Sequence, residues 1–593
     1  MDLIPGRGEK MNAVSNGKSR DAWIALALSA CVFYLFFITR TIQQKGDSLG
    51  YALCIRNGTD LFHPHHILYN GLVRLIYLGL KGLSLPVDAV LAAQLHNLFW
   101  AAAAVAALYF LLRMLFSGRK IAILGTVTFA VFQGFWVFAT QVDVYIPALA
   151  CLMILTCLLF RYRDSEITTG RIIWTAFWFA LAVLYHQMNL LFAVPMITWF
   201  YAHDRWKGLK ILSAVFLLSG AAVLLFYVFG FYLMAGRWDF TWFVKYCLSY
   251  TQNKHPDWGS TAHLGPGGIL SLIKSQIWNF TVTSGRLRLY LVLVIPLAVA
   301  AGAGHLFHVL KRTFWVRERV FLLLWTAVYL LFYLWWLPTY RELFVITLFP
   351  LFLLLLMFLK APWPGMEIRN PRLRLAGTGL WMIIILLLVT THFRVVWTLH
   401  SEPGQPFMEA RRMSVIAPDE CVLMAGYFEI QNARYYFNRE AYQYPHLYFY
   451  RHMPLPEKLK NTAGKCLALR INAVMPDYQV FEFTGITHPA EYWDWLKWLF
   501  HLGPASQEGG FRCRIFYSIS SGQNDHFLVV DNSIHHMDQL SDFFRFMDDA
   551  ADADGQNARN TFYHWFLSHR TMVESDMKCG REHQAAGTDT ERK

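Results

Sequence analysis

The chain is written in long apolar runs separated by short polar segments. A helix needs about 20 mostly apolar residues to cross a bilayer. Roughly eleven runs approach that length: 22–40, 87–112, 121–140, 145–160, 172–186, 188–202, 209–234, 289–310, 319–337, 343–360 and 375–392. Two of them, 172–186 and 188–202, are short and are joined only by Tyr185-His186-Gln187-Met188-Asn189. They read as two short helices meeting at a polar turn. One apolar run breaks the rule. Residues 66–82, HILYNGLVRLIYLGLKG, carry Arg74 in mid-run and apolar positions at helical spacing, which predicts an amphipathic helix lying on the membrane surface.

After about residue 393 the pattern changes. Short apolar runs such as Cys421–Met424 and Cys466–Ala468 alternate with polar turns, and HFLVVDNS reads as a further strand. The expected fold is therefore an all-α polytopic membrane protein with about 11 transmembrane helices and a C-terminal mixed α/β soluble domain. The expected divisions are a cytoplasmic segment 1–21, a membrane domain 22–392 with an outer loop and surface helix over 41–86, the α/β domain 393–575, and a polar, disordered tail 576–593.

Composition agrees with the pattern. Of 593 residues, 55% are hydrophobic and 16% aromatic, which excludes an ordinary soluble enzyme. The net charge of +13 would suggest nucleic acid in a soluble protein. Here the basic residues fall mostly in short loops between apolar runs, so no nucleic-acid partner is expected. Arg7, Lys10, Lys18 and Arg20 precede the first run, which predicts a cytoplasmic N-terminus and an uncleaved anchor. Alternation then makes every short cytoplasmic loop basic, provided that 66–82 does not cross. The outer side receives the loop after the first span, the turn Gln141–Tyr145, the turn His186-Gln187, the loop 235–288, Pro338–Glu342 and everything after about 393. The nine cysteines form no CxxC and no zinc-like spacing. Walker, GxGxxG and GxSxG patterns are absent, so a bound nucleotide is not expected as the energy source.

The outer side collects the residues able to do chemistry. Asp47 sits in a Gly46-Asp47-Ser48 turn, where a carboxylate can act as a general base or merely cap a helix. His63, His65 and His66 flank Pro64 at the head of the surface helix, ahead of Tyr69. They can hold a phosphate, orient a sugar, or simply pack at the interface. Asp143, next to Tyr145, ends an apolar run, where an acid is tolerated at the membrane face and costly inside it. His186 and Gln187 form the turn of the short pair. Arg341 and Glu342 follow Trp335-Trp336-Leu337-Pro338; the guanidinium can clamp a phosphate, or snorkel and pair with Glu342.

The order of these segments resembles a known family. A first span, a GDS loop, HPHHILYNGLVRLIYL, FWVFATQVDVYIPAL and LYHQMNLLF look like the GT-C superfamily of membrane glycosyltransferases, in the branch related to protein O-mannosyltransferases. The resemblance covers about 20–200 and runs more loosely through WWLPTYRELFVITLFP. The chain departs from the pattern in having His65 and His66 where Pro and Gly or Tyr are commoner, and Asp143 where Glu is commoner. The resemblance implies transfer of a sugar, hexosyl or pentosyl, from a polyprenyl-phosphate donor to a lipid, glycan or protein acceptor at the extracytoplasmic face. Asp47 would be the catalytic carboxylate. The other groups named would bind substrate, with membrane lipids as further partners. No cofactor is implied, and a divalent metal at Asp143 is the open alternative. The competing reading is a transporter or flippase of a lipid-linked or anionic solute. Polar groups gathered at one face, with no internal repeat, favour the enzyme.

Overall fold

A computed structural model describes residues 7–44, 46–116, 118–163, 165–248, 259–281, 317–360, 371–416, 422–425, 427–443, 466–472, 512–521 and 524–531. The run 289–310 and the tail 576–593 lie outside the described residues. The chain forms two compact units, one of 1–44 with 51–402 and the other of 45–50 with 403–593.

The first unit is helical. Its elements begin with α1 (Arg7–Ile38), α2 (Gly46–Asn57), α3 (Tyr69–Gly82), α4 (Ala89–Leu115), α5 (Arg119–Ala130), α6 (Gln133–Thr140), α7 (Tyr145–Arg161) and α8 (Thr169–Tyr185). A 3-10 turn over Gln187–Phe192 leads to α9 (Ala193–Ala235), α10 (Phe240–Cys247), α11 (Pro266–Phe280), α12 (Arg317–Trp336), α13 (Val345–Lys360) and α14 (Pro371–Ser401). Among the described residues, five helices are long and apolar enough to span a membrane. The pair α5 and α6, bent by 60° at its junction, passes the same test only when taken together, as a broken span or a re-entrant loop, and three shorter apolar helices accompany them.

Packing in this unit follows membrane rules. Lipid is as apolar as leucine, so burial of apolar area does little to drive helix association; small side chains and internal hydrogen bonds take over. In α4, Ala92, Ala93, Ala101, Ala104 and Ala107 are buried and let neighbouring backbones approach. Asp88 caps the helix by accepting from Leu91 N at 2.7 Å. The central helix α7 is apolar nearly all round and buries Leu149, Leu152, Leu155 and Leu159. The α9 backbone is helical over 43 residues but not straight. A Cβ on Gly208 would clash with Phe200 O, although eight residues of straight helix rise about 12 Å. The run therefore doubles back between these residues, and glycine is what permits the close approach. Its span-length part is Arg205–Ala235.

The surface helix is shorter than its sequence pattern predicts. His63–Leu68 are turns, and α3 starts at Tyr69. It buries Tyr69, Asn70, Val73 and Tyr77, and leaves Leu75, Leu78, Leu83 and Leu85 exposed along and just past it. These leucines form an exposed apolar stripe along α3.

In the second unit α15 (Gln405–Ile416) and α16 (Tyr427–Tyr436) accompany a five-stranded sheet of order β2-β1-β3-β4-β5. The strands are β1 (Val422–Ala425), β2 (Ala441–Gln443), β3 (Cys466–Asn472), β4 (Arg512–Ser521) and β5 (Asn524–Asp531). All pairings are parallel except the β4–β5 hairpin, where Phe516 faces Val529.

Candidate functional site

Asp47 does not lie in an isolated turn. It stands in the first turn of α2, half-buried, where the positive end of the helix dipole favours a negative charge. Residues 45–50 belong to the second compact unit, and the rest of α2 belongs to the first. The far end of α2 is held by Arg74, whose Nη1 donates to Ile55 O at 2.6 Å and to Arg56 O at 3.2 Å. These are last-turn carbonyls with no helical partner. Gly58 follows with φ of +75°, and a Cβ there would lie 2.7 Å from Arg74 Cζ. The mid-run arginine of the surface helix is thus a cap for the helix that begins at Asp47.

The histidine segment folds as a knot of turns over an apolar floor made by Ile67, Leu184, Tyr227, Phe231 and Phe243. His66 N donates to His63 O, and Tyr69 N to His66 O. The His63 and His66 rings stack with centroids 4.5 Å apart, and His63 and His65 lie 5.1 Å apart. Tyr51 of α2 meets His66 edge-on at 4.6 Å. The turn between the short helices joins this knot. Gln187 N donates to His65 O at 2.9 Å, the Gln187 amide meets His65 Nδ1 at 2.6 Å, and Leu68 N donates to Leu184 O. Tyr227 OH closes the back by donating to Pro64 O. Next to it, the His186 ring stacks on Tyr145 at 4.9 Å.

Electrostatics decide what these imidazoles can do. Burial, and then the neighbouring His63 and His186, push His65 down to about 2. The same causes hold His66 well below its ordinary value. Both rings are neutral at any physiological pH. In that form they donate or accept a hydrogen bond. His66 Nδ1 is buried and has no hydrogen-bond partner in the protein.

Asp143 is buried at the Gln141–Val144 turn, where its Oδ1 accepts from Tyr145 N at 2.9 Å. The residues that build this turn come from α4. Asn97 Nδ2 donates to both Gln141 O and Asp143 O at 2.8 Å, and Tyr69 OH reaches Asn97 Oδ1 at 3.4 Å. Gln94, His96 and Asn97 were invisible as site residues in a pattern that treats 87–112 as a plain span. The available signal was Gln-Leu-His-Asn inside an apolar run, because polar groups at membrane depth are costly and generally face a partner.

Arg341 and Glu342 part company. Glu342 is buried, whereas Arg341 is exposed with its guanidinium 5.0 Å from the Trp278 ring centroid of α11. Arg341 O accepts from Asn279 Nδ2 at 2.9 Å. Arg341 thus meets α11 at Trp278 and Asn279, while His63, His65, His66, Tyr69, Asp143, Tyr145, His186 and Gln187 form one connected set. Among the described residues, no three His, Cys, Asp or Glu side chains are grouped to hold a metal ion.

No family model matches the chain, and no curated protein matches it. Solved structures do. ArnT from Cupriavidus metallidurans bound to undecaprenyl phosphate is similar with a TM-score of 0.50 and 12% identity, covering 86% of this chain and 98% of that one. The archaeal oligosaccharyltransferase AglB from Archaeoglobus fulgidus, in complex with an inhibitory peptide and a dolichol-phosphate, scores 0.41 at 14% identity over 71% of this chain and 64% of that one. An A. fulgidus oligosaccharyltransferase complex with Zn and sulfate scores 0.42 at 14% identity over 70% and 62%.

The described fold is that of a helical integral-membrane protein with several apolar spans. One solved structure that shares this fold over most of the chain is that of ArnT. The likeness is one of fold alone, and the O-mannosyltransferase branch is not singled out.

Proposed function

We propose that the protein is an inverting glycosyltransferase that moves a sugar from a polyprenyl-phosphate donor to a lipid, glycan or protein acceptor at the extracytoplasmic membrane face. The observation that carries this reading is the convergence of the His63–Tyr69, Asp143–Tyr145 and His186-Gln187 segments in a fold shared with ArnT, a protein captured with undecaprenyl phosphate. In this reading the Asp47 carboxylate takes the proton of the acceptor hydroxyl. The acceptor oxygen attacks the anomeric carbon, and the bond to the donor phosphate breaks with its electron pair leaving on phosphate. Because the buried imidazoles are neutral, charge developing on that phosphate falls to Arg341. His63 and His66 supply hydrogen bonds, and Asp143 orients the acceptor or binds a metal. The basic loops support a cytoplasmic N-terminus, and the sheet supports a C-terminal α/β domain as the second unit.

The test uses the purified full-length protein in detergent with undecaprenyl-phosphate-linked sugars. Asp47→Asn is expected to keep normal membrane levels and to lose about 10²- to 10⁴-fold in transfer. Near-wild-type transfer by that variant removes Asp47 as the base. Turnover in detergent, where no membrane separates compartments, also excludes pure transport.

A further inference from the structure

We propose that one turn of α4, Gln94 to Asn97, is the positioning element of this site. The proposal rests on the glycosyl-transfer reading above. Gln94 Nε2 donates to Thr41 O and to Thr140 O, both at 2.8 Å. Asn97 Nδ2 donates to Gln141 O and Asp143 O, again at 2.8 Å. Each amide thus uses both of its N–H donors on loop carbonyls. The two side chains are 3% and 0% exposed.

Other bonds make the clamp two-sided. Gln44, itself buried, accepts from Val142 N at 3.2 Å and donates to Thr41 O at 2.8 Å. Thr41 N donates to Thr140 O at 3.4 Å. Asn97 Oδ1 is shared by His96 Nδ1 at 3.3 Å and Tyr69 OH at 3.4 Å.

Three segments meet here. Residues 41–44 precede α2 in the chain. Residues 140–143 carry Asp143. Tyr69 follows the three histidines. Helix packing alone does not require this arrangement, because the alanines of α4 already provide close approach. What the amides add is a fixed register among irregular segments whose carbonyls have no helical partner.

A positioning role lowers turnover per folded molecule, while a purely structural role lowers the amount of folded molecule. Asn97→Asp keeps the shape and removes both donors. Gln94→Asn keeps the donors and shortens their reach. Release of undecaprenyl phosphate from undecaprenyl-phosphate-linked hexoses and pentoses, with a membrane lipid extract as acceptor, reads turnover. We expect kcat per folded molecule to fall about 10²-fold, as a misplacement near 1 Å can cause, with donor KM within about threefold of wild type. A kcat within about twofold of wild type in the variants that accumulate, or a loss carried wholly by KM, overturns the proposal. So does failure of both variants to accumulate, which would make the pair structural. Absence of transfer by the wild type instead overturns the functional reading, and takes this inference with it.

Discussion

The two ends of α4 hold polar groups in opposite ways. Near its start, Gln94, His96 and Asn97 are buried and neutral, and they bond to loop carbonyls and to Tyr185 and Trp100. Near its end, about 24 Å along the axis, Tyr109 and Arg113 converge with Arg119 on a single acid, Asp21. The Asp21 contacts run from 2.7 to 3.4 Å, and Asp21, Arg113 and Arg119 are partly exposed while Tyr109 is buried. A partly solvated ion pair tolerates slack, because water can replace either partner. A buried neutral network tolerates none, since each lost partner leaves a group unsatisfied. The end that carries the candidate chemistry is the one that geometry, not charge, holds together. A substrate phosphate would be the strongest charge to enter it.

The comparison breaks most visibly at His96. Its Nε2 accepts from Trp100 Nε1 and Tyr185 OH, both at 3.0 Å, so the proton sits on Nδ1 and is donated to Asn97 Oδ1. His96→Phe fills the volume but removes the ring nitrogen that Trp100 Nε1 and Tyr185 OH share and the ring N–H that Asn97 Oδ1 accepts. The expected loss is about 2–6 kcal/mol, at about 1–3 per orphaned group. Unfolding of the purified protein in detergent measures it. A loss below about 1 kcal/mol would mean that water repairs the network, and the two ends would then be alike.

Acid is the second lever, and it acts on the same neutral end. His65 and His66 have folded values far below the ordinary histidine value, so the unfolded chain binds more protons as pH drops. Stability is complete above about pH 6.5 and declines below it, by up to about 2.7 kcal/mol per pH unit for the two rings. The decline continues toward the folded value of about 2 for His65. Melting curves from pH 7.5 to 5 should fall, and His66→Gln should flatten the slope by up to half. A flat wild-type curve would show that water reaches these rings.

Much of this was legible in the pattern of residues, and the gaps have physical causes. Most apolar runs appear as helices, because length and hydropathy leave a membrane segment little choice. A helix here was readable from its apolar spacing, although its start at Tyr69 and the cap Arg74 provides to α2 were not. Asp47 looked like a turn residue because Gly46 and Ser48 flank it; the helix that follows depends on contacts made by residues after Tyr51 and by Arg74. The links of His65 to Gln187 and of Tyr145 to His186 follow from topology, since the order of segments put them on one side. Gln94 and Asn97 were missed because a span with two amides still reads as a span. Their roles depend on carbonyls about fifty residues away in either direction along the chain, which no local pattern encodes.

The smallest expected effect lies at the other end of α4. Asp21→Asn keeps the size of the side chain and can still accept from Tyr109, but it removes the charge facing Arg113 and Arg119. These pairs are partly exposed, so salt should already weaken them: the Debye length drops from about 10 Å at 0.1 M to about 3 Å at 1 M. The melting temperature of the wild type should therefore move toward that of Asp21→Asn as salt is raised, with turnover unchanged throughout. His96→Phe should show no such convergence, because a buried neutral network has no charge to screen. If Asp21→Asn instead destabilised the protein as much as His96→Phe, and salt made no difference, the acid would be part of a buried network, and the contrast between the two ends would fail.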